Sequence, residues 1–144
     1  MQNYTADRVI SGTWGEVWVD NDYLAEAKGV EATVSLSTEA VPMCRKLMQG
    51  YKVTGIECSG TLTLDKVSSY FLTKMSDSIK AGKPFRANII TKLDDPDAFG
   101  AERVKLVDCV FTELSLANWE RASLGEESIP FSFSDWEVLD SISA

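Results

Sequence analysis

Hydrophobic and polar side chains alternate one for one along most of this chain, the period of a half-buried β-strand. The first run spans Trp14 to Asp20, with Val17 and Val19 on one face and Glu16 and Trp18 on the other. Asp20-Asn21-Asp22 follows, and these residues favour turns because they tolerate left-handed conformations and bond their own backbone. Through Tyr23 to Ser37, Val30, Ala32, Val34 and Leu36 alternate with Glu31, Thr33, Ser35 and Ser37. That predicts a half-buried strand closing a hairpin with the first run. Residues 38–56 lose the pattern. They read as a long connection, and their Met, Leu and Tyr content argues for a segment that orders against something else.

Alternation resumes at Glu57, with Cys58, Gly60, Leu62 and Leu64 inward and Glu57, Ser59, Thr61, Thr63 and Asp65 outward. Phe71, Leu72, Met75 and Ile79 then fall at helical spacing, behind a cap at Ser68 or Ser69. Lys80, Gly82 and Pro84 agree on where that helix stops. Three strands are expected beyond it: Phe85 to Leu93, Glu102 to Leu116, and Glu127 to Leu139. In the last, Ile129, Phe131 and Phe133 alternate with Pro130, Ser132 and Ser134. The acidic stretch Asp94 to Gly100 reads as a solvated turn, since it lacks the ligand order of an EF-hand loop. The sum is an α+β fold, mainly β: an antiparallel β-sandwich or half-barrel of about six strands with one helix.

Composition adds limits. At 144 residues, 44% hydrophobic and 25% charged, the chain fits one globular domain with a core of its own. No run is long and apolar enough for a transmembrane helix, so no membrane partner is expected. The opening Met1-Gln2-Asn3-Tyr4-Thr5 lacks the features of a secretory leader, so folding in the cytoplasm is expected. Cys44, Cys58 and Cys109 form no C-x-x-C pair and read as reduced thiols.

The net charge of −8 disfavours binding to nucleic-acid phosphates through a basic patch. Without histidine there is no Ser-His-Asp or Cys-His catalysis. Gly12-Thr13-Trp14-Gly15 precedes a strand and lacks the Lys of a phosphate-binding loop. No catalytic constellation emerges, and neither enzyme activity nor a cofactor is expected. Charge is uneven, however. Residues 42–56 carry Arg45, Lys46 and Lys52 with no acid, whereas residues 113–144 carry seven acids against Arg121 alone. Complementarity of that kind sets register between copies of a chain.

Several ordered motifs carry a family resemblance. They run Val9-Ile10-Ser11-Gly12-x-x-Gly15-x-Val17-x-Val19-Asp20, then Met48-x-Gly50-x-Lys52-x-Thr54-Gly55, then Gly60-Thr61 with Lys66-Val67-Ser68-Ser69. Leu93-Asp94-Asp95, Glu102-Arg103-Val104 with Leu106, and Pro130-Phe131-Ser132-Phe133 continue the series. Together they resemble tail tube proteins of contractile phage tails, in particular those of PBSX-like prophages. A cysteine at Cys44 departs from the family pattern.

The resemblance implies one tail-tube domain over 1–144, with N- and C-terminal arms, similar in fold to type VI secretion tube proteins. Copies would form hexameric rings stacked into a conduit. The partners implied are a tail sheath, baseplate or tail-initiator and terminator proteins, and a tape-measure protein, with or without DNA, in the lumen of a virion or tail-like particle. On this reading the segment 38–56 is an inter-subunit arm. Met43, Leu47, Met48 and Tyr51 supply its apolar contacts, and Arg45, Lys46 and Lys52 face Glu126 and Glu127 of a neighbour. Glu31, Thr33, Ser35, Glu57, Ser59, Thr61, Thr63 and Asp65 are candidates for the lumen face. Two other readings are a type VI secretion-like tube protein and a monomeric β-sandwich that binds a ligand.

Overall fold

A computed structural model describes Asn3 and residues 5–143. Met1, Gln2 and Tyr4, part of the stretch read for a missing leader, lie outside the described residues, as does Ala144. Among these residues, eight strands and one α-helix follow in chain order. They are β1 (Gly15–Val19), β2 (Asp22–Tyr23), β3 (Ala27–Val41), β4 (Gly50–Asp65), α1 (Tyr70–Lys80), β5 (Arg86–Leu93), β6 (Glu102–Phe111), β7 (Glu126–Ser132) and β8 (Asp135–Asp140). The eight strands belong to one antiparallel sheet in the spatial order β2-β1-β5-β6-β7-β4-β3, with β8 also on β6. The sheet is open and half-barrel-like, so the expected mainly-β architecture holds with two more strands than the alternation suggested.

The pairing differs from the expectation in one respect that shapes the molecule. β1 pairs with only the two residues of β2, and its main partner is β5. The long strand expected to close a hairpin with β1 instead pairs along its whole length with β4. β6 ends at Phe111 rather than Leu116, and the expected last strand breaks at Phe133-Ser134 into β7 and β8. The break is satisfied: the Phe133 amide donates to the Cys58 carbonyl and the Ser134 amide to the Val107 carbonyl.

A bulge steers β6. Its register with β5 jumps between Ala87–Cys109 and Ile89–Leu106, and Asp108 takes a positive φ of 56° there. The Asp108 amide donates to Asn88 Oδ1 at 3.0 Å, and the Asn88 amide to Asp20 Oδ1 at 2.9 Å. Arg86 clamps both Asp108 oxygens at 2.9 and 3.1 Å. An extra residue bends its strand and increases the twist. Here the bend falls where β6 passes from pairing with β8 to pairing with β7.

The core lies under α1, where Phe71 and Met75 pack with Leu62, Leu64, Phe111, Ile129 and Phe131. Ile79, expected on the same stripe, is half exposed at the last turn. Ser69 occupies the N-cap position without a side-chain cap bond. The C-terminus closes as the sequence predicts: Gly82 adopts φ +78°, with its amide on the Ile79 carbonyl and the Lys83 amide on the Ser78 carbonyl. That pair of hydrogen bonds is the Schellman arrangement, and glycine adopts its left-handed conformation without strain.

Gly60 is held for another reason. A Cβ there would lie 2.2 Å from the Glu31 carbonyl oxygen and 2.6 Å from the Phe131 ring, which lies across the strand at that point. Overpacking of a tight core typically costs about 1–3 kcal/mol. Gly60→Ala is therefore expected to lower stability by about that amount, measured as a fall in the urea midpoint at unchanged slope.

Candidate assembly surfaces

The β3–β4 hairpin outgrows the core. Leu62 and Leu64 near its base are fully buried, whereas residues 31–49 are exposed throughout. The segment read as a loop over 38–56 is mostly strand: β3 runs to Val41, β4 starts at Gly50, and only residues 42–49 form the tip. The lost alternation has a specific cause. The register shifts between Ser37–Gly55 and Thr38–Val53, leaving Thr54 as an extra residue in β4. Below Thr54 the even positions of β4 are apolar and above it the odd ones, so the bulge keeps Ile56, Val53 and Tyr51 on one face. Without it a one-residue slip would turn Val53 and Tyr51 to the opposite face. The Thr54 hydroxyl seals the bulge by donating to the Ser37 carbonyl at 3.3 Å.

On β4 that face is an apolar stripe, with Thr38 of β3 beside Val53. Leu36, Ile56, Val53 and Tyr51 carry it toward the tip, and Tyr51 is 73% exposed. So the strand expected to be half-buried is largely uncovered beyond Val30. Toward the base the stripe runs into a side cleft of about 460 Å³, lined among others by Val30, Ala32, Val34, Leu106, Phe133 and Trp136. Among the described residues the outer edge of β3 has no neighbouring strand. At the tip, Met43 folds back so that its sulfur would touch a Cβ on Gly50 at 3.3 Å, while Leu47 and Met48 stand free. Arg45 sits at φ +61° inside the turn closed by the Lys46 amide and the Met43 carbonyl. Lys52 lies on the strand opposite Glu39.

The opposite face is polar. Glu31 stands beside Thr61, Thr33 beside Ser59, and Ser35 beside Glu57. β7 extends the surface, placing Ser132 beside Ser59, Pro130 beside Thr61, Ser128 beside Thr63 and Glu126 beside Asp65. The eight residues expected on one polar face are thus brought together. The β7 contribution was missed, although the alternation of Ile129 and Phe131 with Pro130 and Ser132 already contained it.

The acidic partners assigned to the arm need correcting. Glu127 shares the inward face of β7 with Ile129 and Phe131; its side chain is 8% exposed and pairs with Lys66 at 3.4 Å. Glu126 is exposed but paired with Lys28 at 2.9 Å. Both carboxylates are therefore engaged within the chain. The acidic turn after β5 is likewise not wholly solvated. Asp95 is buried, accepting the Ser11 amide at 3.0 Å and the Asp97 amide at 2.9 Å, which ties the N-terminal segment to the β5–β6 connection. Asp22 accepts from the Tyr70 hydroxyl at 2.7 Å and from Lys74 at 3.3 Å, bonds that lower its pKa and fasten α1 to the β1–β2 turn. Among the described residues, no three of His, Cys, Asp and Glu stand close enough to hold a metal ion.

Among the described residues the half-barrel leaves a long hairpin uncovered and β3 as an edge strand without a partner. Residues 2–140 match the DUF2001 family, described as a phage tail tube protein, and this chain belongs to that family. It is 34% identical over 140 residues to the Phage-like element PBSX protein XkdM of Bacillus subtilis (strain 168), covering 96% of this chain and 95% of that one. The fold is similar to a chain in the extended sheath–tube complex of PVC, an extracellular contractile injection system. There the TM-score is 0.74 and the identity 12%, with 94% and 95% of the two chains covered. A chain of the sheath/tube terminator of the same system gives a TM-score of 0.76 at 10% identity, covering 94% and 100%. The family resemblance read from the motifs holds, and with it a structural, non-enzymatic role in a phage tail or tail-like particle.

The thiols report on these surfaces. Burial pushes the Cys109 thiol up to about 12, while Cys44 is exposed at the tip. A thiolate, not a thiol, is the nucleophile. Native protein treated with a maleimide at pH 8 is expected to label at Cys44 and spare Cys109 until unfolded, as peptide mass mapping would show.

Proposed function

We propose that this chain is the main tube subunit of a contractile tail or tail-like particle, assembling as hexameric rings stacked into a conduit. The observation that carries this reading is the β3–β4 hairpin, which presents a continuous apolar stripe and an unpaired edge of 15 residues that a lone chain leaves uncovered. Unpaired edges are liabilities that monomers blunt and closed assemblies remove. A heterologous contact that closes gives a ring, and rings repeated along an axis give a tube. The side cleft opens directly onto this stripe, which favours a subunit contact over a pocket for a small ligand.

The two faces then divide the work. The polar face of β3, β4 and β7 lines the channel: hydroxyls with a few carboxylates give a hydrated, weakly acidic wall that does not hold a tape-measure protein or DNA in passage. The hairpin acts as the inter-subunit arm, with Met43, Leu47, Met48 and Tyr51 providing apolar contact. Arg45, Lys46 and Lys52 orient it, since exposed ion pairs contribute only about 0–1 kcal/mol each. Sheath protein covers the outer surface, and baseplate and terminator proteins bound the two ends.

Electron microscopy of the purified protein at high concentration is expected to show rings and tubes; monomers alone would refute the proposal. Leu47→Ser with Met48→Ser should leave the monomer's melting temperature within about 2 °C, because both side chains are exposed, yet abolish tubes. Hydrogen exchange of residues 38–56 should slow on assembly, whereas equal protection in monomer and tube would exclude an arm role.

A further inference from the structure

An apolar cluster lies apart from the hairpin, on residues 112–125, the long connection from β6 to β7. Leu116, Trp119 and Leu124 are 74%, 78% and 99% exposed there. The connection is fastened at both ends, beside β7 and just past the end of β4. The Thr112 amide donates to the Pro130 carbonyl, and the Lys66 amide to the Gly125 carbonyl.

Topology relates this cluster to the side cleft. β4 lies between β7 and β3 in the sheet, so the connection and the cleft flank it on opposite sides. They also stand at one height. The β3 residues that line the cleft fall between Ala27 and Val34, which pair with Leu64 and Cys58 of β4. The connection is tied at Lys66 and at Pro130, and Pro130 lies beside Thr61. On the tube reading the polar face of β3, β4 and β7 turns to the channel, so the β3 and β7 sides are the flanks on which copies meet. Closing a ring through a heterologous contact sets the β7 flank of one copy against the β3 flank of the next.

The chemistry of the two flanks agrees. The cleft measures about 460 Å³, with Val30, Ala32, Phe133 and Trp136 among its lining. Aromatic rings attract one another in offset or edge-to-face arrangements, and Trp is enriched among the residues that carry interface energy. Arg121 is the one cation of the connection, and Glu16 and Glu102 line the cleft. Among the described residues none of these three stands in an ion pair.

We infer that Trp119 of one copy enters the side cleft of its neighbour in the same ring. Leu116 and Leu124 cover the mouth, and Arg121 faces Glu16 and Glu102. This inference rests on the tube reading and names what fills the cleft.

Cysteine pairs on a Cys44→Ser background test the contact. Asn118→Cys is combined with Gly12→Cys and, separately, with Gly29→Cys. Both glycines line the cleft, and a Cβ at either meets nothing within 4 Å. Assembled protein is oxidised and run on a denaturing gel without reductant. A contact within the ring gives a ladder that ends at six in at least one pair. A ladder running past six places the connection between rings and overturns the inference. Tubes seen by microscopy without any ladder overturn it too, and leave the tube reading intact. Monomers throughout, from the unaltered protein, overturn both. Two further variants give a second measure. Trp119→Lys carries a charge toward an apolar cleft, and Ala32→Trp fills the cleft from its own chain. Both positions are exposed, so the monomer's melting is expected to hold. The concentration needed for tube formation should rise at least tenfold in each, and an unchanged value in either would overturn the inference.

Discussion

The register between β3 and β4 governs most of what is distinctive in this molecule. It runs from Ala27–Leu64 at the base to Val41–Gly50 at the tip, far past the point where α1 and β7 can cover it. Beyond Val34–Cys58 the side chains of the hairpin are almost all exposed. Full burial of one Val, Leu or Ile contributes about 1.5–3 kcal/mol, so a stripe holding Val34, Leu36, Val53 and Ile56 stores a driving force on the order of several kcal/mol. That gain is realised when another surface arrives, less the cost of association. The Thr54 bulge is what makes the stripe continuous, and a slip of one residue would scatter it over both faces.

The parts of the fold nearest the core were the most legible. Leu62 and Leu64, Ile129 and Phe131, and Ala87 and Ile89 are buried as their alternation predicts, because each faces a single core from a strand wet on its other side. The helix stop was readable for a local reason, the left-handed demand that Gly82 satisfies. What failed was pairing. Alternation reports which face a residue takes and says nothing of which strand lies beside it, so the hairpin partner of β1 was misplaced. The bulge defeated the reading differently, since a phase change at Thr54 looks like the loss of a period.

The candidate surfaces divide along the same line. The polar face was readable as a list of side chains, and only the register with β7 adds Glu126, Ser128 and Ser132 to it. Glu127 was misassigned because net charge was weighed before position: in phase with Ile129 and Phe131, a carboxylate faces inward whatever its sign. Its pairing with Lys66 shows how the chain tolerates it, since a partly buried charge without a partner is costly. The connection 112–125 carried no periodic signal. Its exposed Leu116, Trp119 and Leu124 become informative only once the fold shows that nothing else in the chain covers them.

The Arg86 contact with both Asp108 oxygens and the Asp20–Asn88 exchange add charged and amide hydrogen bonds to the packing of Val19, Ala87, Ile89 and Cys109 in the opposite part of the sheet. Such bonds are directional where hydrophobic contact is not, so the bend in β6 is fixed in angle as well as in place. A subunit repeated many times along a tube accumulates any angular play at each repeat. In the stacked tube proposed above, a bend set by hydrogen-bond geometry would give every copy the same curvature and keep the error per copy small.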